Sequence, residues 1–225
     1  MTAAQLSVGL IQYVALLLAL CVHEFAHAAS AYWLGDDTAA RQGRLTLSPL
    51  AHVDPIGTVL VPIAGFLLGS FTSFGFLFGW AKPVPFQASN FRRGWFGRGH
   101  VLVAGAGPAS NVLQGFFWLI VLAVLTRIGI DWRDSYMLEL GLRFVIFSIV
   151  INFVLALFNM LPIPPLDGGA VASWGLPRHL GNRFDEIVGP YGTFILLGLL
   201  VTGLLGVLLQ PAHWAADFLM SLVTP

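Results

Sequence analysis

The chain has a single cysteine, Cys21, in 225 residues. No intrachain disulfide can form, and metal frameworks built from several cysteines are excluded, so any metal must be held by histidines and carboxylates. Charge is scarce too. Only 10% of the residues are Asp, Glu, Lys or Arg, against roughly a quarter in an ordinary soluble domain. The 11 basic and 11 acidic residues cancel. Without a basic excess to neutralise phosphates, nucleic acid is not expected as a partner. There is no internal repeat, low-complexity tract or appended soluble domain, and residues 1–225 read as one domain. The first 22 residues lack both a basic start and a cleavage motif, so they read as a retained span rather than a signal peptide.

What the chain has in excess is apolar residues, 57% of the total, gathered in runs of about twenty, the length that crosses a ~30 Å hydrocarbon layer as a helix. The expected fold is an all-α polytopic membrane protein. It has about four transmembrane helices, a re-entrant or additional span at 56–80, and short loop hairpins. Firm spans are expected at 6–33, 101–126, 144–161 and 187–210, and a short interfacial segment at 211–223. Within 56–80 the dense Gly, Ser and Thr of Gly65 to Gly75 weaken a straight helix and leave both a crossing and a hairpin open. Residues 35–55, 82–100 and 127–143 are polar, and the first two are rich in turn formers.

The strongest chemical signal is His23-Glu24-Phe25-Ala26-His27. Residues four apart share a helix face, so both imidazoles can meet one metal ion, and Glu24, about 100° round, can reach a water beside it. On a soluble helix this pattern arises easily by chance. Inside an apolar span it does not, because a carboxylate at mid-bilayer costs at least ~2.5–3.5 kcal/mol unless it is used. Catalytic zinc takes three protein ligands and keeps one position open, so a third ligand must come from elsewhere. Asp167 is the best candidate. It stands beyond another span, after a stretch broken by Pro162, Pro164 and Pro165. Asp54 is the competitor, although a loop-capping role suits it better.

These residues resemble the site-2 protease family of intramembrane zinc metalloproteases, over most of the chain. His23 to His27 is similar to its HExxH motif, and Asn159 to Gly169 to its NxxPxPPLDGG motif. The stretches Gly43 to Thr58, Gly79 to Pro85 and Ala106 to Asn111 are similar to the prokaryotic branch without PDZ or CBS domains. Departures are Ser48, where Asn is common, and Ala170, where a basic residue often stands. Neither touches a proposed ligand. The resemblance implies one Zn²⁺ per chain on His23, His27 and Asp167, with Glu24 as general base and Asn159 aiding the oxyanion. It further implies hydrolysis within or near transmembrane segments of other membrane proteins, with lipid around the enzyme. The competing readings are a divalent-metal transporter and a catalytically inactive metal-binding membrane protein. The intact Glu24 and the lack of a polar path across the bilayer argue against both.

Topology follows from where the motifs must meet. For His27 and Asp167 to share one depth, the spans at 6–33 and 144–161 must run in the same direction, which requires 56–80 to return to the face it left. Charge supports this. Arg41, Arg44, Lys82, Arg92, Arg93, Arg98, Arg178 and Arg183 then share one face, against Arg127, Arg133 and Arg143 on the other. Positive residues gather on the cytoplasmic side, which places the expected site towards the cytoplasmic face of the cell membrane.

Overall fold

A computed structural model describes residues 3–67, 79–129, 132 and 135–224, and the description below is of these. Nine α-helices follow one another: α1 (Ala3–Leu34), α2 (Thr38–Arg41), α3 (Val61–Leu67), α4 (Phe96–Arg127), α5 (Tyr136–Asn159), α6 (Asp167–Gly175), α7 (Arg178–Val188), α8 (Gly192–Val201) and α9 (Leu204–Ser221). Four helical stretches are long and apolar enough to cross a bilayer: Ala4–Leu34, Phe96–Arg127, Tyr136–Asn159 and Arg178–Val201. The protein is of the multi-pass membrane class.

Helix α1 has 32 residues and so extends about 48 Å, longer than the hydrocarbon layer it must cross. It stops at Gly35, whose φ of +109° lies in the left-handed region where a side chain is strained. Gly35 N–H donates to the Tyr32 carbonyl and Asp36 N–H to the Ala31 carbonyl, the paired bonds of a Schellman cap. A Cβ at Gly35 would also press on Arg92 at 3.2 Å, so the same glycine ends the helix and admits the returning chain.

Helices α1, α4 and α5 form the core. Along α4, Val103 meets His27 and Asn111 meets His23, so these two helices are antiparallel. Gly115 of α4 lets the Phe153 ring of α5 approach, and Leu119 packs with Val145 and Ile149, which makes α4 and α5 antiparallel as well. Consequently α1 and α5 run in the same direction, and Leu16, Ala19 and Leu20 pack with Ile151 and Leu155. The hairpin expected at Gly65 to Gly75 lies largely outside the described residues, but the ends of that segment are described and they touch. Trp80 N–H donates to the Gly57 carbonyl (3.2 Å), the Thr58 hydroxyl to the Trp80 carbonyl (2.8 Å), and Lys82 N–H to the His52 carbonyl (2.9 Å). The described ends of the segment, at Gly57 and Trp80, therefore lie side by side.

Three boundaries differ from the sequence-based expectation. Helix α5 begins at Tyr136 rather than 144, because Glu139 and Arg143, which read as loop charges, form an i,i+4 ion pair on its first turns and Ser135 caps it. The last span is Arg178–Val201 rather than 187–210, since Gly203 adopts φ +76° and divides that apolar run. Of residues 211–223, expected as a short interfacial segment, those up to Ser221 belong to α9, which begins at Leu204. Leu205, Leu209, Ala212 and Ala216 give α9 a buried stripe against α5, running antiparallel to it.

The loop after α1 is organised by Asp36, a buried carboxylate that accepts the Thr38 hydroxyl, the Asn90 side-chain amide (2.8 Å) and Gln87 N–H (2.7 Å). Burial works to raise its pKa, but these donors outweigh it and hold the carboxyl below the ordinary aspartate range.

Candidate metal centre

His23 and His27 lie in the last third of α1, one helical turn apart and nearly covered, at 4% and 8% exposure. Asp167 opens α6, and the chain reaches it by folding sharply back from the end of α5. Two glycines make that turn possible. A Cβ on Gly168 would lie 2.4 Å from the Leu161 carbonyl oxygen, and one on Gly169 2.7 Å from Pro164 N. The fold-back carries the Asp167 carboxylate to the imidazole pair: His23 Nε2 to Asp167 Oδ2 is 3.1 Å, His27 Nε2 to Oδ1 3.4 Å, and Nε2 to Nε2 3.0 Å. Among the described residues no other set of three His, Cys, Asp or Glu comes together in this way. Behind the rings lies Gly107 of α4, where a Cβ would sit 2.4 Å from His27 Nε2 and 2.6 Å from His23 Nε2.

The outer nitrogens decide what the inner ones present. His27 Nδ1 is 2.7 Å from the Val103 carbonyl, which only accepts, so Nδ1 carries the proton. His23 Nδ1 is 2.6 Å from Asn111 Oδ1 and carries a proton for the same reason. Both Nε2 lone pairs then face each other and the carboxylate, with no hydrogen between them to share. Asp167 Oδ2 is buried and has no hydrogen-bond partner. Such an arrangement of converging lone pairs suits a cation. His23, His27 and Asp167 each bring one donor atom within 4.8 Å of the others, close enough to share a single ion. Two imidazoles and one carboxylate suit zinc, and three protein ligands leave a fourth position open. The donor set therefore fits the metal.

Glu24, also buried, points beside the pair, and its Oε2 accepts the Val84 N–H at 2.9 Å. That donor comes from the Lys82 to Pro85 stretch, which the Arg44 guanidinium also grips at the Lys82 carbonyl. Asp54 is not at the centre. It caps the turn at Pro55, accepting Ile56 N–H (3.0 Å) and Gly57 N–H (2.7 Å), so the competitor for third ligand is accounted for as a cap. The Asn159 amide donates to the Leu155 carbonyl of its own helix at 3.0 Å. His52 bonds the Thr46 carbonyl and His100 stacks on Trp174 at 3.7 Å, both structural placements. Nothing in the sequence links Asn111 to His23, and nothing marks Val84, because the group that acts there is backbone. For Gly107 a signal existed: the run Gly105-Ala106-Gly107 marks a close approach, here by two imidazoles rather than a backbone.

Comparison with known proteins agrees with this chemistry. The chain is 37% identical over 198 residues to "Putative zinc metalloprotease YwhC" of Bacillus subtilis, covering 88% of this chain and 83% of the relative. It is 31% identical over 207 residues to "Putative zinc metalloprotease Rip2" of Mycolicibacterium smegmatis, covering 90% and 71%. A shorter match, 39% over 72 residues, links it to "Putative zinc metalloprotease MJ0611" of Methanocaldococcus jannaschii, with 32% of each chain covered. No family model and no solved structure matches the chain. With one relative this similar over most of both chains, and with the HExxH histidines and a distant aspartate brought to one point, the chain belongs to the site-2 protease family of zinc metalloproteases.

Proposed function

We propose that the protein is an intramembrane zinc endopeptidase that cleaves transmembrane segments of other membrane proteins, with one Zn²⁺ held by His23, His27 and Asp167. The observation that supports it best is the convergence of these three donors, two buried and one half-buried, beside a carboxylate inside an apolar helix. Bound there, zinc would polarise the scissile carbonyl and acidify a water in its open position.

The chain's own residues do the rest. Glu24 has Oε2 occupied by Val84 N–H, so its other oxygen takes the proton of the attacking water and later delivers it to the leaving amine. Asp167 and the two imidazoles stay unprotonated on their inner atoms and act as ligands. Asn159 is assigned to the developing oxyanion, which requires its amide to leave the Leu155 carbonyl when substrate binds. A substrate helix hides its amides in its own hydrogen bonds, so it must unwind before attack, and helix-breaking residues near the cleavage point favour it. With the basic residues gathered on the face where α1 ends, we place the enzyme in the cell membrane with the centre towards the cytoplasm.

The test is product formation from a co-expressed single-span protein by the native chain and by Glu24→Gln, with metal analysis of both purified proteins. Gln keeps the shape but cannot take the proton, so product should vanish while zinc stays near one per chain. Loss of zinc, or undiminished product, would remove Glu24 from the role of base.

A further inference from the structure

We infer that Asn152, on α5 and outside the site, is a positioning residue that fixes the metal-binding form of His23 through Asn111. This rests on the reading of His23, His27 and Asp167 as a metal centre. His23, Asn111 and Asn152 come from three helices, α1, α4 and α5, and both asparagines are fully enclosed, at 0% and 1% exposure. Asn152 Nδ2 donates to the Ser148 carbonyl at 2.8 Å, Asn111 Nδ2 donates to Asn152 Oδ1 at 2.9 Å, and His23 Nδ1 stands 2.6 Å from Asn111 Oδ1.

The order of donors and acceptors is fixed from one end. A carbonyl can only accept, so Asn152 must turn its NH₂ to Ser148 and its oxygen to Asn111. Asn111 must answer with its NH₂, which leaves its oxygen facing His23. His23 must then carry its proton on Nδ1 and present an Nε2 lone pair to the centre. Rotating the Asn111 amide by half a turn would reverse the last link. Its NH₂ would meet Nδ1, the proton would move to Nε2, and His23 could no longer ligate. A second acceptor for Asn111, the Ala19 carbonyl, lies 3.5 Å away, at the outer limit of a hydrogen bond, and is too weak to hold the amide alone. His27 needs no such chain, since a backbone carbonyl faces its Nδ1 directly.

The test is zinc affinity of the detergent-solubilised full chain, measured by competition with a chromophoric chelator. Asn152→Ala should weaken zinc about 10-fold, at the lower end of outer-shell effects. Asn111→Asp offers an acceptor whichever way it turns and needs no orienting partner. In that background Asn152 Oδ1 would face a carboxylate oxygen instead of a donor, so Asn152→Ala should cause no loss of affinity. Asn152→Asp guards against a folding failure, because an enclosed carboxylic acid keeps the size, can donate its O–H to the Ser148 carbonyl and still accepts from Asn111. It should stay within about 3-fold of native. Equal losses in both backgrounds, or no loss from Asn152→Ala in the native one, would overturn the relay. If the native chain itself binds no zinc, the metal reading fails and the relay falls with it, which separates the two.

Discussion

Replacing Gly107 by alanine tests whether the imidazole pair is packed against α4 as described. An ordinary contact begins near 3.4 Å, yet the new Cβ would lie 2.4 Å from His27 Nε2 and 2.6 Å from His23 Nε2, on the very atoms that present lone pairs. One or both rings must retreat by about 1 Å, and metal–ligand distances tolerate only ~0.2 Å before the site is lost. Neither ring can slide freely, because each is held on its far side by a hydrogen bond of 2.6 or 2.7 Å. A displacement of that size is worth at least ~100-fold in affinity, or ~2.8 kcal/mol. Gly105 supplies the control, since a Cβ there meets nothing within 4 Å. Chelator competition on the purified proteins should show Gly105→Ala at the native zinc affinity and Gly107→Ala at least ~100-fold weaker. Gly107→Ala binding zinc as the native chain does would refute the packing described here.

Three further predictions concern parts of the molecule that different physics holds in place. Asp167→Ala should strip most of the zinc, whereas Asp54→Ala should leave the metal near one per chain and cost about 1 kcal/mol through its lost N-cap, read by metal analysis and thermal unfolding. In a Cys21→Ala background, single cysteines at the exposed Ser48 and Ser89 should label from one side of the membrane only, and from the cytoplasm. Labelling from opposite sides would contradict the bonds joining Gly57 to Trp80 and His52 to Lys82. Asp36 has a lowered pKa, so its stabilisation is complete above the unfolded value near 3.8 and is lost as pH falls through the still lower folded value. Proteolysis of the 35–44 loop should therefore rise in that acid window for the native chain, and Asn substituted at Asp36 should flatten the dependence.

Much of the site was legible because its ligands are marked by local rules. Two histidines at i and i+4 need only a helix, and a proline-rich break followed by Asp-Gly-Gly announces a fold-back with a carboxylate at its tip. The parts that were not legible depend on tertiary contacts. Nothing local links Asn111 to His23, 88 positions away, and the Val84 donor belongs to the backbone, which every non-proline residue shares. Helix ends were misplaced where composition and geometry disagree. Glu139 and Arg143 look like loop residues one at a time but neutralise each other once helical, and the apolar run through Gly203 shows no charge to betray the break. The α9 stripe was obscured by Pro211, His213 and Asp217 interleaved with it.

The two ligand histidines differ in how they can change over generations. His27 leans on the main-chain oxygen of Val103, and a carbonyl is present whatever residue stands there, so no single substitution at that partner deletes it. His23 leans on a side chain, so its support can be altered, strengthened or abolished by one codon. The centre thus has a half that mutation cannot easily reach and a half that it can. Variation in metal affinity among descendants of this chain should accumulate around the first histidine of the motif and spare the second.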